Sequence, residues 1–140
     1  MKKVNYEVFV SLEVAKLLKK AGFNWEVNHS YPDRDPLDNS CSGYMEDLPF
    51  YHNLNDGKYG GMSVPTLDVA QRWLREVKHL DVIVNRNLPI YEPQYSWDYE
   101  YVIITTDGRV EAVDCYFEEY EQAQEAGIKK ALELILEKGE

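Results

Sequence analysis

Two histidines and a group of carboxylates are the residues best suited to chemistry: His29, Asp33, Asp35 and His52. Imidazole and carboxylate together make zinc ligands, or a base with an orienting acid, so the set outlines a metal-assisted hydrolase with its site in residues 29–56. Spacing gives that outline little support. Neither histidine belongs to an H-E-x-x-H helix, and the chain has no C-x-x-C pair. The oxygen-rich runs Asp33-Arg34-Asp35-Pro36-Leu37-Asp38-Asn39 and Asn53-Leu54-Asn55-Asp56-Gly57 lack the ligand spacing of an EF-hand loop, the first its central glycine and the second its closing glutamate. Both read as turns, where Asp, Asn and Pro are favoured. With no P-loop, G-x-S-x-G elbow or G-x-G-x-x-G, no catalytic residue and no cofactor is assigned.

Recognition chemistry is better represented. Tyr95, Trp97, Tyr99 and Tyr101 alternate with Ser96, Asp98 and Glu100, and Tyr91 continues the parity, so one face of an extended segment carries a ladder of rings. Most such ladders are a sheet face covered by helices; an exposed end would suit a protein partner or small ligand. Asp98 and Glu100 supply none of the positive charge that a nucleic-acid stacking surface needs. Tyr44 and Tyr51 join Tyr91, Tyr95, Trp97 and Tyr99 as candidate interaction residues. Arg72, Arg75 and Lys78, with His79, form the main basic face and outline a DNA-binding regulator. A helix-turn-helix would need another helix just upstream, which the pattern lacks.

The elements that must position these residues are legible in part. Ser11 as a cap, Leu12, Ala15 and Leu18 at helical spacing, and Gly22 predict a helix over 12–21. Alternation predicts a strand over 25–31, with His29 on the apolar side. Thr66 opens a second helix that runs to His79 or Leu80, with Leu67, Ala70, Trp73, Leu74 and Val77 as its stripe, before a strand over 82–84. The starts of the two helices match class for class, which suggests a diverged helix–strand duplication. Asp107-Gly108 predicts a two-residue type I′ hairpin within 97–117, pairing Ile103 with Ala112, Val102 with Val113 and Tyr99 with Tyr116. Apolar residues on both faces mark those strands as internal to the sheet. A closing helix spans 121–138. The expected fold is α+β in a single domain over residues 1–140. It has a three- to four-stranded, mainly antiparallel sheet and three helices packed mostly on one face. A long irregular insert occupies about 32–65, where a site is most expected.

Composition bounds the class. The chain has 140 residues, 44% of them hydrophobic. It can bury roughly two-thirds of its unfolded surface, enough for one core. A net charge of -10 repels the phosphate backbone and disfavours general nucleic-acid binding. No apolar run approaches the roughly 20 residues of a membrane span, and no signal-type stretch follows Met1. A cytoplasmic location is therefore expected, with Cys41 and Cys115 as reduced thiols.

Three segments also carry a resemblance: Val10-Ser11-Leu12-Glu13-Val14-Ala15-Lys16-Leu17-Leu18, the run from Val64 to Glu76, and Glu125-Ala126-Gly127-Ile128-Lys129-Lys130-Ala131-Leu132. Together they resemble a family of small uncharacterised proteins of gut anaerobic bacteria and their phages or prophages. The resemblance implies a mobile-element setting and transfers no site residue. The expectation is a non-enzymatic interaction or regulatory accessory protein. Its partner would be a protein, a second copy of the chain included.

Overall fold

The computed structural model describes residues 7–35, 40–41, 44–58, 60–87 and 98–139. Their order is α1 (Leu12–Ala21), β1 (Val27–Tyr31), β2 (Asp33–Asp35), β3 (Ser40–Cys41), β4 (Glu46–His52), β5 (Met62–Ser63), α2 (Leu67–Val77), β6 (Leu80–Asn87), β7 (Asp98–Thr105), β8 (Val110–Phe117) and α3 (Tyr120–Lys138). This is an α+β fold with two three-stranded antiparallel sheets, ordered β4-β1-β5 and β6-β7-β8, and a two-stranded ribbon, β2-β3.

At the start of each helix a side chain of the cap or first turn satisfies an otherwise orphaned amide. Ser11 Oγ accepts from the Val14 N–H at 3.3 Å, Thr66 Oγ1 from Val69 at 3.2 Å, and Gln122 Oε1 from Glu119 at 3.3 Å. At the end of α1, Gly22 takes φ 95°, a left-handed conformation that costs glycine nothing. The similar starts of α1 and α2 have no counterpart in the strands that follow, since β1 is the centre of one sheet and β6 the edge of the other. The segments leading into the two helices pair with each other, through Val10 N–H to Pro65 O at 3.1 Å and Leu67 N–H to Val8 O at 2.8 Å.

The C-terminal hairpin departs from expectation at its turn and regains it further on. Thr105 and Arg109 close a three-residue turn, in which Gly108 holds φ 87°, the arrangement of a turn ending in a glycine bulge. Thr105 Oγ1 favours this wider turn by donating to the Asp107 carboxylate and accepting from the Arg109 N–H. The extra turn residue is then absorbed by a bulge opposite Ile103 and Ile104, so Ile103 still faces Ala112 and Val102 still faces Val113. A second bulge, where Tyr116 takes φ 74°, moves the partner of Tyr99 from Tyr116 to Phe117. Only β7 is internal to its sheet; β8, expected to be internal as well, is an edge.

The helices α2 and α3 lie on one face of β6-β7-β8, while α1 packs against α3 and β5. Val82, Tyr101 and Ile103 from the sheet meet Ile128, Ala131 and Leu132 of α3 in the core. The approach is closest at Gly127, where a Cβ would stand 2.6 Å from Val82 Cγ1 and 3.0 Å from the Tyr101 side chain. Gln124, buried in α3, ties the layer together by donating to Asp68 at 2.7 Å and Gln71 at 2.9 Å.

The stretch 32–65, expected to be irregular, holds four strands. Its longest, β4, was hidden by Pro49, which a central strand rejects but an edge strand tolerates. Burial along β1 also departs from simple alternation: Val27 and Ser30 are buried, because a register shift between Val27 and His29 changes the parity.

Candidate functional site

His29 sits in the middle of β1, half-buried, with its ring against Phe9 at a centroid distance of 4.4 Å. Its Nε2 lies 3.5 Å from the carboxylate of Asp47, the residue opposite it on β4. Beside it is a cavity of about 200 Å³, bounded by the segment before α1, by β1 and β4, and by the start of α2. Phe9, His29 and Tyr51 supply aromatic surface, Val27, Val64 and Val69 aliphatic surface, and Glu7 and Glu26 carboxylates. Of the residues expected to form a site in the insert, His29 and Tyr51 are brought together here.

The other metal candidates go elsewhere. His52 Nε2 meets the Asp56 carboxylate at 2.6 Å, a separate pair from His29 and Asp47. Asp33 and Asp35 belong to the β2-β3 ribbon rather than to the sheet that carries the histidines. Among the described residues, no three His, Cys, Asp or Glu side chains converge as a metal ion requires. In the run from Asn53 to Gly57 the oxygens are occupied by nearby amides: Asn53 Oδ1 accepts from Asn55, Asp56 Oδ1 from Lys58, and Asn55 Oδ1 from Ser63. That segment is the turn its composition predicts. Hydrogen bonds from the Lys58 amide and then from His52 hold the Asp56 carboxyl below its usual range.

Of the aromatic ladder, Tyr91, Tyr95 and Trp97 lie outside the described residues. The part that is described faces the helices. Tyr99 meets Tyr120 of α3 edge-on at 5.9 Å with the Arg86 guanidinium over its ring at 5.9 Å, and Tyr101 is buried against Phe117. Burial, followed by the charges of Asp114 and Glu133, raises the pKa of the Tyr101 hydroxyl. Tyr99 is thus a partner of α3 rather than part of an exposed ring surface, whereas Tyr44 and Tyr51 are 79% and 67% exposed.

Among the described residues, the opposite face of the same strands is where apolar surface stays open. Ile83, Val102 and Val113 stand in one row across β6, β7 and β8, with Asp81, Ile104 and Val110 in the next. Val110 and Val113 are 54% and 56% exposed, and among the described elements α2 and α3 pack on the other face. None of these residues is among the interaction candidates of the sequence, although the apolar character of both hairpin faces carried the signal. No family model, curated protein or solved structure matches this chain.

The basic face of α2 is shared among local contacts. Arg72 pairs with Glu76 one turn on, and Lys78 Nζ lies 5.6 Å from the centre of the Trp73 ring. Arg75 is exposed in the last turn. No helix of the described residues is long and apolar enough to cross a membrane.

Proposed function

We propose that this chain is a non-enzymatic, cytoplasmic accessory protein that binds another protein through the open face of β6-β7-β8. The mobile-element setting implied by the resemblance is part of the proposal. The observation that carries it is the aliphatic row Ile83–Val102–Val113, half-buried on β6 and β7 and 56% exposed at Val113, which no other described element covers while the other face of the same strands holds the core. An exposed apolar patch with polar surroundings is the usual mark of an interaction surface.

The occupant favoured is a different protein, with basic residues flanking an apolar segment. Asp81 and Glu100 lie on the same face as the row, and the chain carries a charge of -10, so a second copy would bring acid against acid. Area points the same way. Three strands of eight residues make a face of roughly 350 Å², under half of the roughly 800 Å² per partner in a stable interface. A partner that also reaches the acidic rim adds what the face alone lacks.

The test is a photo-crosslinking residue at position 113, with Val102→Asn/Val113→Asn as the control in a competition assay. Crosslinks to an apolar segment flanked by Lys or Arg, competed by wild type but not by the double variant, are expected. Equal competition by the variant, or crosslinks only between copies of the chain, would overturn the proposal.

A further inference from the structure

The cavity beside His29 has a composition that selects for charge sign. Its aromatic walls are Phe9 and Tyr51 with the His29 ring beside them, its carboxylates are Glu7 and Glu26, and among the described residues neither lysine nor arginine lines it. Aromatic faces carry negative partial charge, and cations seated on them are attracted most where water is displaced. The start of α2 also borders the cavity, and a helix start can bind anions through its free amides. Here that option is closed at two positions. The Leu67 N–H donates to Val8 O and the Val69 N–H to Thr66 Oγ1.

We infer that this cavity is a binding site for an organic cation, specifically an alkylated ammonium or guanidinium head group. A volume of about 200 Å³ is below the roughly 300–1,000 Å³ of pockets that take drug-sized ligands, which fits a head group rather than a nucleotide or a sugar chain. Inorganic cations suit the site less well, because beyond the Glu7 and Glu26 carboxylates its largely aliphatic and aromatic walls offer few oxygens in place of a hydration shell. The aliphatic part, Val27, Val64 and Val69, instead matches the methyl or methylene groups of an organic cation. The net charge of -10 draws such ligands toward the surface before they are held. The site lies on β1 and β4, apart from the open face of β6-β7-β8, so this inference stands independently of the proposed function.

Nuclear magnetic resonance titration of the intact chain tests it, with tetramethylammonium and N-acetylarginine amide as the two cationic probes at constant ionic strength. The two probes distinguish an ammonium-type from a guanidinium-type site. Saturable shifts confined to residues around His29 and Tyr51 are expected for at least one of them. The neutral isostere tert-butanol should bind roughly tenfold more weakly, and Glu7→Gln/Glu26→Gln should weaken the cation by a similar factor. Both glutamates are exposed, so that variant keeps the fold. Tyr51→Leu, at a largely exposed position, gives an independent measure of the ring contribution and should also weaken binding. The inference fails if neither cation saturates, if tert-butanol binds as well as tetramethylammonium, or if binding is unchanged in both variants.

Discussion

Asp56 shows how a residue that suggests catalysis can be serving a turn. Next to His52 in space, it has the pairing of a base and its orienting acid, yet its carboxylate accepts first from the backbone of Lys58 and then from His52. Those contacts favour the ionised form and depress its pKa in the folded state. A depressed carboxyl contributes stability that is present above the unfolded value, about 3.9 for an aspartate, and lost as pH falls through the lower folded value. Asp56→Asn removes the charge and keeps an acceptor oxygen. Its melting temperature should therefore lie below that of the wild type at pH 7, and the gap should close as pH drops below about 4. Thermal melts of both proteins across that range check this; a gap of constant size would show that the charge is not what stabilises the turn. His29 stands in another setting, against Phe9 and facing a cavity, and sequence placed it on the apolar side without indicating that cavity. The cavity arises from segments more than fifty residues apart, Glu7 to Phe9 and Val64 to Val69, and no local pattern reports such a meeting.

At the scale of elements, the helices were the most legible because their ends are chemical events. Ser11 and Gly22 bound α1 at the residues expected, α3 starts one position early and α2 ends two or three positions early, as helix ends do. Strands were less so. Pro49 obscured β4, and the parity of β1 changes at a bulge that its alternation did not announce. The hairpin register survived an incorrect turn because Glu111, the bulged residue between Val110 and Ala112, compensated for the third turn residue. Gly127 was legible only as part of a resemblance, and its role is one of distance. Glycine inside a helix ordinarily costs about 1 kcal/mol relative to alanine, so Gly127→Ala would stabilise an isolated α3. In the protein its methyl group would overlap Val82 and Tyr101, both buried, and overpacking of this kind costs about 1–3 kcal/mol. The overlap should prevail. Urea unfolding is expected to show a net loss of stability on Gly127→Ala, and a gain would mean that α3 can lift from the sheet at little cost.

The whole molecule divides unevenly between its two sheets. One is covered by α2 and α3, with Ile103, Ile128, Ala131 and Leu132 completely buried between them. The other is joined to the helical layer where β5 meets α1, and its edge strand β4 makes extensive contact with β1 alone among the described elements. Most of β4 is exposed: Glu46, Asp47, Pro49, Phe50 and Tyr51 face solvent and Leu48 is half-buried. Strands with few buried apolar contacts open at free energies well below that of global unfolding, whereas core elements exchange their amide protons only when everything unfolds. Native-state hydrogen exchange should therefore separate the sheets, with the amides of β7 and α3 at the global limit and those of β4 opening several kcal/mol earlier. Equal opening energies for β4 and β7 would show one cooperative unit and refute the division. Because Tyr51 is carried on β4 and forms a wall of the cavity beside His29, a cation bound there has to hold β4 in place. Saturating tetramethylammonium should then raise protection in β4 by the binding free energy and leave the relative ranking of β7 and α3 unchanged. Protection in β4 that does not rise would mean that the strand opens with the cation still held, and that Tyr51 is no wall of its site.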